Sequence, residues 1–214
     1  MASSWIMTKR KYVIGITGGI GAGKSTVLDY ITAHYNVETI LADEIGRELM
    51  KPGKSVYYAL LEVYGNAILN DSGAIDTKRL SSIVFSSSDA QKKVNEIEHP
   101  LIKSEIEWQI HYSKSDVIFI EAALLIEGGL KELCDELWLI TAEKEVRIQR
   151  LMESRGYSRK RGEEIIALQL SEEEMKKHAA ILIDNSSGID DMKRSVDYHM
   201  SILSADLKQD FAKY

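Results

Sequence analysis

The chain has one cysteine in 214 residues, Cys134, so no intrachain disulfide can form, and no Cys/His spacing resembles a zinc site. That usage suits a reducing cytosol, and a cytoplasmic location is expected. No apolar run approaches the ~20 residues that cross a bilayer. The opening Met1-Ala2-Ser3-Ser4-Trp5-Ile6-Met7 is too short for a signal-peptide core and leads into Thr8-Lys9-Arg10-Lys11 instead of a cleavage site. Positive charge is also short: 27 Lys and Arg against 33 Asp and Glu give a net charge of -6, which argues against a nucleic-acid or membrane-surface partner while leaving room for a local phosphate site. Repeats, low-complexity tracts and linkers are absent, so residues 1–214 read as a single domain.

What is present is a glycine motif. Gly18-Gly19-Ile20-Gly21-Ala22-Gly23-Lys24-Ser25 matches G-x-x-x-x-G-K-[ST], the phosphate-binding P-loop. A chance match in a chain this long is on the order of one in a hundred at average glycine content. The flanks lower those odds: residues 12–17 read as a buried strand, and residues 25–35 carry Val27, Leu28 and Ile31 at helical spacing. Gly18, Gly21 and Gly23 let the backbone bend so that its N–H groups face a phosphate chain, and the helix start adds a positive dipole end. Nucleotide is expected along Gly19, Ile20, Gly21, Ala22, Gly23, Lys24, Ser25 and Thr26. Lys24 would neutralise the β- and γ-phosphates, and the Ser25 hydroxyl would ligate magnesium.

Helical and strand patterns alternate, which predicts an α/β fold with a mainly parallel sheet of five strands covered by helices. The further strands fall at residues 37–41, 117–121, 137–141 and 181–184, and a helix at 43–50 closes at Lys51-Pro52-Gly53. Between strands two and three, residues 53–115 read as helices with a turn at Asn70-Asp71-Ser72-Gly73. Their longest pattern, 89–111, is expected to break at His99-Pro100. An excursion of that size suits a cap over a second substrate. A second excursion follows strand four: a helix over 143–153, a turn at Arg155-Gly156-Tyr157-Ser158, and a helix from Arg159 to about Leu170, placing a lid over about 151–178.

Asp43 stands at the carboxyl end of strand two, where ligands of open α/β sheets gather; as an aspartate before a helix expected from Glu44 it is equally an N-cap. Arg47, four residues on, is either a solvated ion-pair partner or an arginine aimed at acceptor phosphates. Glu121 ends strand three, as an ordinary strand-end carboxylate or as the acid that assists magnesium. Taken alone, Arg150, Arg155 and Arg159 read as surface salt-bridge residues, His99 as a turn or cap residue, and Trp138 as core.

In order along the chain, Ile16 to Thr26, Ala42-Asp43-Glu44-Ile45-Gly46-Arg47, Lys51-Pro52-Gly53, Tyr64-Gly65-Asn66-Ala67-Ile68-Leu69 and Val84-Phe85 closely resemble the dephospho-CoA kinase family. So do His99-Pro100-Leu101-Ile102, Leu124-Leu125-Ile126-Glu127, Arg150-Leu151, Gln169 and Ile183-Asp184-Asn185. The His-Pro-Leu-Ile and Leu-Leu-x-Glu blocks are the specific part. The resemblance implies a P-loop kinase sheet in three layers, a helical CoA-binding insertion and a lid, with transfer of the ATP γ-phosphoryl to the ribose 3′-hydroxyl of dephospho-CoA. It casts Asp43 as catalytic base, Lys24 and Arg150 as charge stabilisers, and Arg47, His99, Arg155 and Arg159 on the substrate side. ATP, magnesium and a monomer or weak homo-oligomer are expected with it. The chain departs from the family pattern at Leu41, at Ala123, at Ala179-Ala180 and in the register of the lid arginine near Ser154-Arg155. The alternatives are another small P-loop nucleoside, nucleotide or metabolite kinase and, from a different class, a nucleotide-dependent switch. The guanine-reading Asn-Lys-x-Asp motif is absent, which disfavours a GTPase.

Overall fold

A computed structural model describes residues 10–213; the opening segment, read above as too short for a signal-peptide core, lies outside the described residues up to Lys9. Five parallel strands, β1 (Tyr12–Thr17), β2 (Glu38–Leu41), β3 (Val117–Glu121), β4 (Glu136–Thr141) and β5 (Ile181–Asp184), form one sheet in the order β2-β3-β1-β4-β5. Parallel neighbours need long crossovers, which here are mostly helical. α1 (Lys24–His34) joins β1 to β2. α2 (Ala42–Leu49), α3 (Ser55–Tyr64), α4 (Thr77–Val84) and α5 (Ser88–Tyr112) lie between β2 and β3, and α6 (Lys144–Arg155), α7 (Arg159–Ala167) and α8 (Glu172–Lys176) between β4 and β5. A final helix, α9 (Ile189–Leu207), had no counterpart in the sequence reading.

The two-residue period of the strands divides the core in two. Val13, Ile118, Ile120 and Leu137 face the insertion, packing with Ile45, Leu49, Val56, Leu60 and Ile106. Ile14, Ile16, Phe119, Trp138 and Ile140 face the other way, onto Val27, Leu28 and Ile31 of α1 and Met192, Val196 and Met200 of α9. Each such side chain contributes roughly 1.5–3 kcal/mol by leaving water. The core reading of Trp138 holds: it is fully buried. The Asp197 carboxylate fastens α9 to α1 by accepting from the Tyr30 hydroxyl at 2.8 Å and the Tyr35 hydroxyl at 2.7 Å.

Three expectations need correction. The break at His99-Pro100 is absent: α5 runs through Pro100 for 25 residues. Proline removes the bond to the Glu96 carbonyl at a cost of ~3 kcal/mol, but Val94, Ile97 and Leu101 continue one apolar stripe across it, and burial of that stripe prevails. Second, α2 begins at Ala42 with Leu41 as N-cap, so Asp43 sits inside the first turn and caps nothing. Third, the helix that starts at Arg159 ends at Ala167, short of Leu170, and the Ser171 side chain, accepting from the Glu174 N–H at 3.2 Å, caps a separate helix α8. The expected turn at Asn70 is present, with its Oδ1 accepting from the Ser72 and Ala74 N–H groups.

Cys134 packs beneath β1, where Gly15 leaves the room: a Cβ there would collide with Leu137 and lie 2.9 Å from the Cys134 sulfur. Burial, helped by the Asp135 charge, pushes the thiol up to about 12 from 9.0. Only the thiolate is nucleophilic, so the reactive fraction in the folded protein falls about a thousandfold. At a pH near 8, a thiol-reactive disulfide reagent should label folded protein at least about 100-fold more slowly than protein in concentrated guanidinium chloride; equal rates would contradict this burial.

Candidate active site

The glycine loop leaves the carboxyl end of the central strand and ends at Gly23, which caps α1 in the left-handed region at φ 92°. There a side chain would be strained and would strike the Asn185 amide; at Gly19 a Cβ would strike the Arg147 guanidinium. These collisions reveal what braces the loop from outside. Arg147 is buried, donates through Nε to the Ile20 carbonyl at 2.9 Å and through a terminal nitrogen to Gln169 Oε1 at 3.2 Å. The same Gln169 oxygen accepts the Ile20 N–H at 2.7 Å. Arg150 donates to the Gly21 and Ala22 carbonyls, both at 3.3 Å, and to the Asn185 carbonyl at 2.7 Å, while Asn185 Nδ2 donates to Ala22 at 2.9 Å. Carbonyls are thus drawn outward to two arginines and an asparagine.

Inside the loop, Lys24 Nζ donates to the Gly18 carbonyl at 3.0 Å and lies 3.7 Å from Glu121. Burial lowers the lysine's pKa, opposed by Glu121 and Asp43, and raises that of Glu121, opposed by Lys24. Both shifts favour the neutral forms, as expected of a desolvated pair at the long end of ion-pair range. The Asp43 charge reaches both groups.

Strand register sets this neighbourhood. Glu121 pairs with Ile16 on one side and Leu41 on the other, so the glycine loop, Ala122 and Asp43 leave the sheet level with one another. Beyond Asp43 opens a cavity of about 290 Å³ between α2 and α5. Asp43, Gly46, Arg47 and Met50 line it from α2; Asn95, Glu98, His99 and Ile102 from α5; Ala122, Ala123, Leu124 and Leu130 close it from the loop after β3. Gly46 lets the two helices approach, since a Cβ there would sit 3.2 Å from Ile102. Burial lowers the pKa of His99.

Of the residues singled out from the sequence, Lys24, Glu121 and Asp43 form one cluster, and Asp43, Arg47 and His99 share one cavity. Arg47 also forms an exposed ion pair with Glu44 at 3.7 Å. Arg150 braces the loop, and Ser25 and Thr26 sit exposed at the start of α1. Arg155 and Arg159 do not line that cavity: Arg155 is exposed at the end of α6, and Arg159 is held by Glu145 at 2.6 Å and Glu163 at 3.4 Å. Sequence reasoning missed Arg147, whose signal was its spacing three residues before Arg150, on the same helix face. It also missed Asn95 and Glu98, which share a face with His99.

A glycine loop on the central strand of an all-parallel sheet, with its lysine beside a strand-end carboxylate and a second cavity alongside, defines a P-loop phosphotransferase of the kinase type. The model of the dephospho-CoA kinase family matches residues 12–191. The chain belongs to that family. It is 38% identical to a dephospho-CoA kinase of Prochlorococcus marinus over 81% of this chain and 87% of the relative, and 36% identical to one of Geobacter sulfurreducens over 86% and 95%. Among solved structures, TT1252 from Thermus thermophilus superposes with a TM-score of 0.79 at 26% identity, over 91% of this chain and 99% of that one.

If the arginine brace shapes the loop, Arg147→Met strands the Ile20 carbonyl and half of Gln169. A loss of about 2 kcal/mol would lower the unfolding midpoint by about 4–8 °C, and amide exchange across residues 18–25 should quicken. Unchanged exchange in the loop would contradict the brace.

Proposed function

We propose that the protein transfers the γ-phosphoryl group of ATP to the ribose 3′-hydroxyl of dephospho-CoA, giving CoA and ADP, the last step of coenzyme A synthesis. The observation that carries this reading is the shared level of Lys24, Glu121 and Asp43 at the carboxyl edge, with a nucleoside-sized cavity on the Asp43 side. Family membership supports the choice of acceptor.

Phosphoryl transfer passes through a loose transition state, so alignment and charge neutralisation dominate. The braced loop offers its N–H groups to the phosphates, and Lys24 sets its positive charge beside them. Asp43 accepts the hydrogen bond of the acceptor hydroxyl, aims its oxygen at the γ-phosphorus and takes the proton late, since a carboxylate is a weak base. Arg150, beside the loop, offsets charge on the transferring oxygens. Arg47 and His99 bind the acceptor.

The Ser25 hydroxyl and the Glu121 carboxylate are oxygen donors of the kind magnesium takes. Magnesium keeps several waters and is usually held through one or two protein oxygens together with substrate phosphates. When bound, magnesium would neutralise phosphate charge beside Ser25 and Glu121. Residues 53–115 serve as the acceptor-binding insertion and about 151–178 as the lid, with Arg155 and Arg159 reaching the substrates on closure, in a single cytoplasmic domain.

Asp43→Asn should lower kcat by about 10²–10⁴-fold with ATP affinity nearly unchanged, whereas Lys24→Ala should impair both the chemical step and nucleotide binding. ADP release measured with dephospho-CoA, AMP, adenosine, shikimate, gluconate and no acceptor should depend on dephospho-CoA. Equal release without acceptor would favour a nucleotide switch, and near-normal turnover by Asp43→Asn would remove Asp43 from the base role.

A further inference from the structure

The cavity beside Asp43 holds polar groups that the transfer chemistry does not use. Asn95 and Glu98 stand one turn apart on α5 and line the same wall. Neither side chain has a hydrogen bond or ion pair with any other described residue. Glu98 is half-buried, and burial alone raises its pKa; no neighbouring cation offsets it. A half-buried carboxyl and an amide that line the cavity without a partner among the described residues are available to hydrogen-bond a ligand there.

The remaining walls say which part of a ligand fits. Ala42, Met50, Ile102, Ala122 and Leu130 are apolar and come from three sides. Such a slot suits a flat body that is apolar on its faces and polar along one edge. The acceptor named above, dephospho-CoA, carries one such body, its adenine, attached to the ribose whose hydroxyl meets Asp43. Its flexible arm has another course: a wider groove continues past Asn95, His99 and Leu124 toward Gln91, Lys92 and Glu127.

Resting on the proposed function, we infer that Glu98 and Asn95 are specificity-determining residues that read the 6-amino edge of the acceptor's adenine. Glu98 accepts a hydrogen bond from the exocyclic amine, and the Asn95 amide donates to the adjacent ring nitrogen. A 6-oxo purine in the same place sets a carbonyl oxygen against the Glu98 carboxylate and turns the adjacent ring nitrogen from an acceptor into an N–H donor facing the Asn95 amide. Sites built around such a bond reject the mismatched analogue strongly.

The test compares dephospho-CoA with its deaminated analogue, in which hypoxanthine replaces adenine, as acceptors for wild type, Glu98→Gln and Asn95→Ala, with ATP as donor. Wild type should prefer the adenine acceptor in kcat/KM by at least about tenfold. Glu98→Gln, whose amide can donate to a 6-oxo group, should bring that ratio close to one or invert it, while KM for ATP stays within about twofold. Asn95→Ala should raise KM for dephospho-CoA more than it lowers kcat. A wild-type preference that Glu98→Gln leaves intact, or equal losses on both acceptors, would overturn the base-reading role while leaving the kinase reading in place. Failure of wild type to use dephospho-CoA at all would overturn both.

Discussion

Everything at the site depends on how three parallel strands are registered. Glu121 faces Ile16 across one ladder and Leu41 across the other, so β1, β3 and β2 end at the same height. A slip of one residue would turn every side chain of a strand to the opposite face, and both cores forbid it: Ile118 and Ile120 must meet the insertion while Val117 and Phe119 meet α1 and α9. The apolar alternation that stabilises the sheet therefore also fixes where the glycine loop, the strand-end acid and Asp43 emerge.

On that platform the protein leaves two kinds of polar group buried, and their treatment differs. Arg147 and Asn185 are almost wholly buried, yet their polar atoms are engaged with loop carbonyls and Gln169, so the desolvation cost is offset and the loop is braced from outside. Lys24 and Glu121 are only loosely paired at 3.7 Å, and Glu98 has no partner among the described residues. The fully engaged groups hold the loop; the loosely paired or unpartnered ones lie along the glycine loop and the cavity beside Asp43. The cost of the second set is small beside the burial of two apolar cores, and it is localised where binding can recover it.

Much of this was legible in the chain. Val117-Ile118-Phe119-Ile120 and Leu137-Trp138-Leu139-Ile140 are too continuously apolar for anything but doubly covered strands, and the glycine loop is constrained by stereochemistry that few sequences satisfy. Local rules failed where tertiary packing outweighed them. Pro100 reads as a helix end by its missing N–H, yet the stripe through Val94, Ile97 and Leu101 carries α5 past it. Had the helix stopped there, Asn95, Glu98 and Ile102 would not share a wall. The bracing contact between Arg147 and Gln169 was illegible for a different reason: it spans 22 positions and closes on Ile20, far back in the chain, so neither the spacing of Arg147 to Arg150 nor the family-like Gln169 discloses it.

The central claim is geometric: Asp43 holds one particular hydroxyl in line with a phosphate chain seated on the glycine loop. Phosphorus NMR of the product formed from ATP and dephospho-CoA reads this directly. The account predicts one new phosphomonoester coupled to the ribose H3′, formed in equal amount with ADP. Phosphate on the 2′-oxygen, or ADP accompanied by free orthophosphate, would contradict it.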